Sequence, residues 1–125
     1  LQGAMHHRLS ANQIELSITH TTPLFDGSFD ELCADDHAPM AWSPLAGGQL
    51  MQGAVGECLA KWATKLDSSP SALALAWLRS LPNSPVPVIG SIKPDRISDM
   101  LKGPATLPRE VWYELLEAAR GHCVA

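Results

Sequence analysis

Short apolar runs alternate along this chain with longer stretches of helical periodicity, and proline or glycine marks most of the junctions. That alternation is the pattern of βα units, in which a helix carries each strand over to a parallel neighbour. It restricts the chain to α/β architectures before any residue is given a role.

The first expected strand covers residues 12–18, with Ile14, Leu16 and Ile18 on one parity and Gln13, Glu15 and Ser17 on the other. Strands of layered α/β proteins are usually apolar on both faces, so the polar face should look into a solvated lumen or a binding site. Asp26-Gly27 is a turn signal. Ser28 and Glu31 have the spacing of a capping box, which opens a short helix through about residue 36. His37-Ala38-Pro39 ends it, because proline cannot continue a helix.

The second strand is expected over 40–43, running into Pro44-Leu45-Ala46-Gly47-Gly48. Val55, Leu59, Trp62, Ala63 and Leu66 then fall on one helical stripe. Ser69 and Pro70 are suited to be N-cap and first residue of the next helix. That helix, over 71–81, is apolar nearly all round and should be buried. Pro82 and Pro85 break it, and 86–90 reads as the third strand. Pro94 opens a helix with Ile97, Met100 and Leu101 on its inner face and Gly103-Pro104 as its stop. Pro108 begins a last helix in which Val111, Leu115, Leu116 and Ala119 line up, closed by Gly121.

Composition narrows the function classes. The 125 residues, 46% hydrophobic and 18% charged, are one ordinary globular domain over 1–125. A net charge of -4 without a basic stripe excludes a nucleic-acid binder. No apolar run approaches the roughly 18 residues of a membrane span. Cys33, Cys58 and Cys123 are odd in number and widely spaced, which speaks against a disulfide framework and for a reducing cytoplasm. His6-His7, His20 and His37 lack metal-ligand spacing and read as surface or loop residues. His20, just after the first strand, is the one placed to border a substrate pocket. The chain opens on Leu1-Gln2-Gly3-Ala4-Met5 with no helix start signal, so it is expected to begin inside an element.

Two loops carry candidate chemistry. Gly90-Ser91 follows a strand and leads into a helix start bearing Lys93, Pro94 and Arg96. Free N–H groups, a partial positive charge and two cations there make an anion site, and arginine gives forked contacts to phosphate oxygens. The alternative is a solvated helix start with incidental charges. In the other loop, Trp42 at a strand's carboxyl end can stack on a flat ring. The small residues after it let a diphosphate approach the backbone. The alternative there is a core tryptophan and an ordinary turn. Both loops lie at the carboxyl ends of parallel strands, where α/β proteins bind ligands.

Asn12-Gln13-Ile14-Glu15, Met40-Ala41-Trp42-Ser43-Pro44-Leu45 with Gly47-Gly48, and Val88-Ile89-Gly90-Ser91 with Arg96 resemble the last part of an aldo-keto reductase. In order and separation they look like the sixth, seventh and eighth strands of that (β/α)8 TIM barrel, and the likeness is closest to its bacterial YdhF-like branch. The resemblance implies a partial barrel of about three carboxyl-terminal βα units plus a final helix. Leu1 to Ser10 would then be the tail of the fifth helix. It implies an NADPH-dependent reductase of aldehydes or ketones, with NADP(H) as cofactor. Gln13 matches the glutamine on the nicotinamide carboxamide, and Trp42 the aromatic stacked on the nicotinamide ring. Ser43 and Leu45 match residues that wrap the diphosphate. Gly90 and Ser91 match those at the adenosine phosphate, Arg96 matches the base on the 2′-phosphate, and Lys93 assists there. Ala46 replaces a common glycine, and Met100 stands where many members have asparagine near the adenine.

The family's catalytic Asp, Tyr, Lys and His come from the first half of the barrel, and none is placed here. Tyr113, the only tyrosine, reads as a packing residue beside Trp112. Carbonyl reduction needs a positioned proton donor as well as hydride, so the chain alone is expected to be inactive. Three readings follow: the cofactor-binding portion of a reductase, a stand-alone nucleotide-binding or self-associating domain, or a ligand-free interaction module. Strands taken from a closed barrel expose edges, which favours a homo-oligomer joined along them.

Overall fold

The computed structural model describes residue 3, residues 9–34 and residues 38–124. Strands β1 (Ala11–Glu15), β2 (Ala38–Trp42) and β3 (Val86–Pro87) form one parallel sheet in that order. Ala11 pairs with Ala38 and Glu15 with Trp42; Met40 pairs with Val86 and Ala41 with Pro87. Helices α1 (Ser28–Ala34), α2 (Gly53–Lys65), α3 (Pro70–Arg79), α4 (Pro94–Leu101) and α5 (Arg109–Arg120) supply the rest of the architecture. Two 3-10 segments, Thr22–Leu24 and Ala46–Met51, complete it.

β1 is shorter than the expected 12–18. After Glu15 the Leu16 N–H makes a last bond to the Trp42 carbonyl at 3.3 Å, and Ser17 and His20 then pair with each other at 3.2 and 3.1 Å. That turn rotates the chain, so Leu16, Ser17 and Ile18 are all buried. The polar parity therefore keeps to water at Gln13 but not at Ser17. Ser17 Oγ instead accepts the His20 N–H at 3.1 Å and shares a bond with Thr19 Oγ1 at 3.3 Å. β3 is shorter than 86–90 for a different reason. Pro87 has no N–H to give the ladder, and pairing ends with the Val88 N–H on Ala41 O at 2.8 Å.

The cap of α1 is Asp26 rather than a Ser28–Glu31 box. Asp26 Oδ1 accepts the Ser28 N–H at 2.9 Å and its Oγ–H at 2.6 Å. The Glu31 N–H goes to Gly27 O at 3.0 Å. The expected extension of this helix to residue 36, and His37 after it, lie outside the described residues.

α3 starts as its residues dictate, with Ser69 Oγ accepting the Ala72 N–H at 3.2 Å and Pro70 in the first turn. Every residue from 72 to 78 is buried, so this all-round apolar helix is the centre of the core. Trp77 on α3 stacks on Trp112 of α5 with centroids 5.0 Å apart and planes 2° from parallel. Each indole N–H donates to the other residue's carbonyl, Trp77 Nε1 to Trp112 O at 3.1 Å and Trp112 Nε1 to Trp77 O at 3.0 Å. Trp77 is thereby buried and Trp112 half-buried without orphaning either polar atom.

Glu114 of α5 holds α2 by accepting from Lys61 Nζ and, at 2.9 Å, from Trp62 Nε1. The Lys61 ammonium foremost, with Trp62 helping, keeps the Glu114 carboxyl below its ordinary range against a smaller opposing effect of burial. Arg79 donates to the carbonyls of Pro104 and Ala105 at 2.8 and 3.2 Å, and Ser80 Oγ accepts the Leu107 N–H at 2.8 Å. The end of α3 thus organises the α4–α5 connection.

α4 has the expected bounds but a narrower inner face. Met100 is buried, whereas Leu101 is 69% exposed. α4 packs closely on α3 just beyond its end, where a Cβ on Gly103 would lie 2.6 Å from that of Ala72. Pro108 caps α5 from outside rather than beginning it. Gly121, left-handed at φ 73°, closes the helix with its N–H on Glu117 O at 2.8 Å.

Candidate functional site

A cleft of about 990 Å³ opens at the carboxyl ends of β2 and β3, bounded by the two loops that follow them and by α4. The loop after β2 is built from unusual backbone. Ser43 (φ 54°) and Ala46 (φ 47°) stand in the left-handed region, followed by Gly47 at 62° and Gly48 at 89°. For the two residues with side chains this conformation costs on the order of 1–3 kcal/mol each, so the surrounding structure must impose it. Buried Pro44 and Leu50 pin the loop from below. Ala46 N–H bonds to Ser43 O at 2.9 Å and Gly48 N–H to Leu45 O at 2.8 Å. Strained backbone of this kind concentrates where ligands are held, and mixed left- and right-handed residues turn N–H dipoles into anion-binding concavities. The loop is also braced from behind. Gly56 on α2 lies so close to Met51 that an added Cβ would fall 2.4 Å from the Met51 carbonyl carbon and oxygen.

Across the cleft, the chain leaves β3 through Val88, Ile89, Gly90 and Ser91 into α4. Ser91 Oγ accepts the Lys93 N–H at 3.3 Å, shaping the turn, while no side chain caps the helix start at Lys93. Six of the eight expected site residues, Trp42, Ser43, Leu45, Gly90, Ser91 and Arg96, line this one cleft. Trp42 keeps 42% of its surface exposed at the strand end, so its ring is available to a ligand rather than spent in the core.

Gln13 and Lys93 are placed differently. Gln13 is exposed on β1, opposite Met40, and is not part of the cleft wall. Lys93 is exposed at the cap of α4 and touches the site only through its backbone N–H. His20 also stays off the wall, held in its turn with Ser17. His6 and His7 lie outside the described residues. Tyr113 meets the Trp112 ring edge-on at 5.1 Å and 82°, with the Arg109 guanidinium 5.4 Å from its centroid, so it packs as expected.

The sequence reading missed Met51, Ser71, Asp95 and Asp99, all in the wall. Asp95 and Asp99 carried a usable signal, since residues four apart share a helix face and Asp99 also follows Arg96 by three. Ser71 carried none, because a polar residue in a first helical turn is unremarkable by itself.

Chemically, the cleft offers a half-exposed indole, a strained backbone loop of small residues, and a guanidinium beside two carboxylates. Its volume and these walls fit a dinucleotide of the nicotinamide type: a flat ring, a diphosphate and a second ribose. Among the described residues no group of three or more His, Cys, Asp or Glu is arranged to hold a metal, and no helix is long and apolar enough to cross a membrane.

No protein-family model matches the chain. It is 39% identical over its whole length to a 6-dehydroglucose reductase of Agrobacterium fabrum, covering 43% of that protein. It is 34% identical over 99% of its length to the oxidoreductase YdhF of Escherichia coli, covering 44%. The chain thus spans less than half the length of these relatives. Its fold superposes on a thermostable aldo-keto reductase, Tm1743, solved with the inhibitor epalrestat, with a TM-score of 0.77, 22% identity, and 93% and 42% of the two chains covered. It also superposes on an aldose reductase from Giardia lamblia at 0.78 and 18% identity, with 98% and 41% covered. In sequence the chain matches the carboxyl-terminal part of these oxidoreductases, and its fold is that of about two-fifths of the aldo-keto reductase barrel.

Proposed function

We propose that these 125 residues form most of the cofactor cradle of an NADPH-dependent carbonyl reductase. The observation that carries this reading is the convergence of Trp42, Ser43, Leu45, Gly90, Ser91 and Arg96 on one cleft from two loops far apart in sequence. Trp42 stacks on the nicotinamide ring, and the strained backbone around Ser43 and Leu45 wraps the diphosphate. Gly90 and Ser91 take the adenosine phosphate, and the Arg96 guanidinium takes the 2′-phosphate through forked hydrogen bonds. Lys93 adds charge from the rim, and Gln13 reaches the carboxamide from β1. The bound cofactor supplies hydride to an aldehyde or ketone. The described cleft wall holds no tyrosine, lysine or histidine, so the proton for the carbonyl oxygen comes from a group outside that wall.

Titration calorimetry with NADPH and NADH tests the cradle. Arg96→Gln should weaken NADPH by about tenfold, the scale of one charge-assisted contact at an exposed site, and leave NADH unchanged. Equal loss for both cofactors, or none for either, overturns the 2′-phosphate role.

Self-association is part of the same proposal for the isolated chain. β1 and β3 are both sheet edges, the segment Ala11, Asn12 and Gln13 is exposed, and Val86 is 51% exposed. Unpaired N–H and C=O groups on such edges recruit another strand, here from a second copy.

A further inference from the structure

A second cavity, of about 300 Å³, lies between the end of α3 and the start of α5. α3 has Ser71 in the cleft wall at one end and Ser80 in this cavity at the other, about 14 Å apart along the helix axis. The two spaces share no wall residue. Bonds within the protein already fix the walls of the second one. Ser80 Oγ donates to Ala76 O at 2.7 Å and accepts the Leu107 N–H at 2.8 Å, and Trp112 Nε1 donates to Trp77 O at 3.0 Å. The stack of Trp77 on Trp112 backs the aromatic side. Walls set before a ligand arrives spare the ordering cost of binding.

Once those bonds are subtracted, two polar side chains of the wall remain uncommitted. Among the described residues no hydrogen bond or ion pair holds the Arg109 guanidinium or the Tyr113 hydroxyl; the guanidinium lies 5.4 Å from the Tyr113 ring centroid. The Tyr113 ring packs on Trp112, which leaves its hydroxyl for a ligand. No carboxylate lines the cavity, since Glu110, next to Arg109, is not in its wall. Leu81, Pro82, Leu107 and the Trp112 ring supply apolar surface. A forked set of N–H donors beside a phenol O–H calls for an anionic head made of acceptors, and the fork matches a carboxylate. The aromatic and apolar walls call for a flat apolar body, and a volume at the low end of small-molecule sites admits about one ring. We propose that this cavity binds a small aromatic carboxylate, its head on Arg109 and Tyr113 and its ring against Trp112, Leu81 and Pro82. The site stands independently of the cofactor cradle.

The probe is benzoate, titrated into the whole chain by calorimetry and by amide-correlation NMR. A ligand of this size should bind with a Kd of about 1 mM. It should shift the amide signals of Leu81, Leu107 and Tyr113 and leave those of Gly47 and Gly90, in the cleft, in place. Arg109→Gln is expected to weaken benzoate about tenfold. Arg109→Lys, which keeps the charge and loses the fork, and Tyr113→Phe, which keeps the ring and loses the hydroxyl, should each weaken it about threefold. Acetate and benzyl alcohol, each with half of the chemistry, should bind at least about tenfold more weakly than benzoate. Arg109 is exposed, and thermal melts check that the variants fold; if Arg109→Gln does not, Arg109→Lys decides. No binding at about twentyfold above the expected Kd, shifts confined to the cleft, or undiminished binding in the Arg109 variants overturns the site. Acetate binding as tightly as benzoate overturns the aromatic ligand.

Discussion

Gly56→Ala puts the brace behind the cleft loop to a test whose sign is unusual. In an ordinary helix interior, alanine is favoured over glycine by roughly 0.8–1 kcal/mol. At position 56 the new Cβ would lie 2.4 Å from both the carbonyl carbon and oxygen of Met51, and 3.2 Å from its Cα. Ordinary carbon contacts begin near about 3.5 Å, so close to 1 Å has to be yielded. The obstacle is backbone, which cannot rotate away as a side chain end would. Overpacking of this kind costs about 1–3 kcal/mol, and a backbone neighbour places it at the upper end. The net expectation is a loss of about 1–2 kcal/mol, or about 4–8 °C in the unfolding midpoint of a domain this size. Because Met51 is part of the cleft wall, NADPH affinity should fall as well. Circular dichroism melts and urea titrations measure the first effect, with Thr64→Ala on the exposed side of the same helix as a control that gains a few tenths of a kcal/mol. A higher midpoint for Gly56→Ala would refute the close seating of α2 on the cleft loop.

The Glu114 carboxyl, held below its ordinary value of 4.5 chiefly by Lys61, contributes stability that is present above that value and lost as pH falls through its lowered one. Glu114→Gln should therefore show less loss of stability than wild type as pH is taken below 4.5, read from urea midpoints; parallel curves would remove Glu114 from the acid response. Light scattering on a sizing column at micromolar concentration should return a dimer or larger species, and a stable monomer would rule out pairing along β1 and β3. The purified chain should oxidise no NADPH with any aldehyde or ketone offered. Measurable turnover would mean that an acid within these residues has been overlooked.

The element order was legible because burial imposes periodicity: the stripe at Val55, Leu59 and Ala63 and the apolar run through Trp77 describe helices that the core then uses as expected. Ser69, Pro70 and Gly121 act locally, so their positions alone announce helix ends. Strand lengths were not legible. Where β1 stops depends on the Ser17–His20 turn, and where β3 stops depends on Pro87 meeting Ala41, a partner far away in sequence. The cap of α1 was misread because Asp26 takes the Ser28 N–H that a capping box assigns to the Glu31 side chain, and only the geometry of the turn decides between them. Leu101 belonged to the right periodicity but faced no partner helix.

For the site, the two loops and their residue types were legible in the sequence, since each follows a strand and leads toward a helix start. Local chemistry of this kind is set by neighbours along the chain. What tertiary structure alone decided is which of those residues share a space. It brought Trp42 and Arg96 to one cleft, left Gln13 and Lys93 outside its wall, and put Asp95 and Asp99 into it. It also imposed left-handed backbone on Ser43 and Ala46, whose side chains disfavour it. Those outcomes depend on how the sheet and α4 are packed together, and packing is fixed by contacts between residues that the linear order keeps apart.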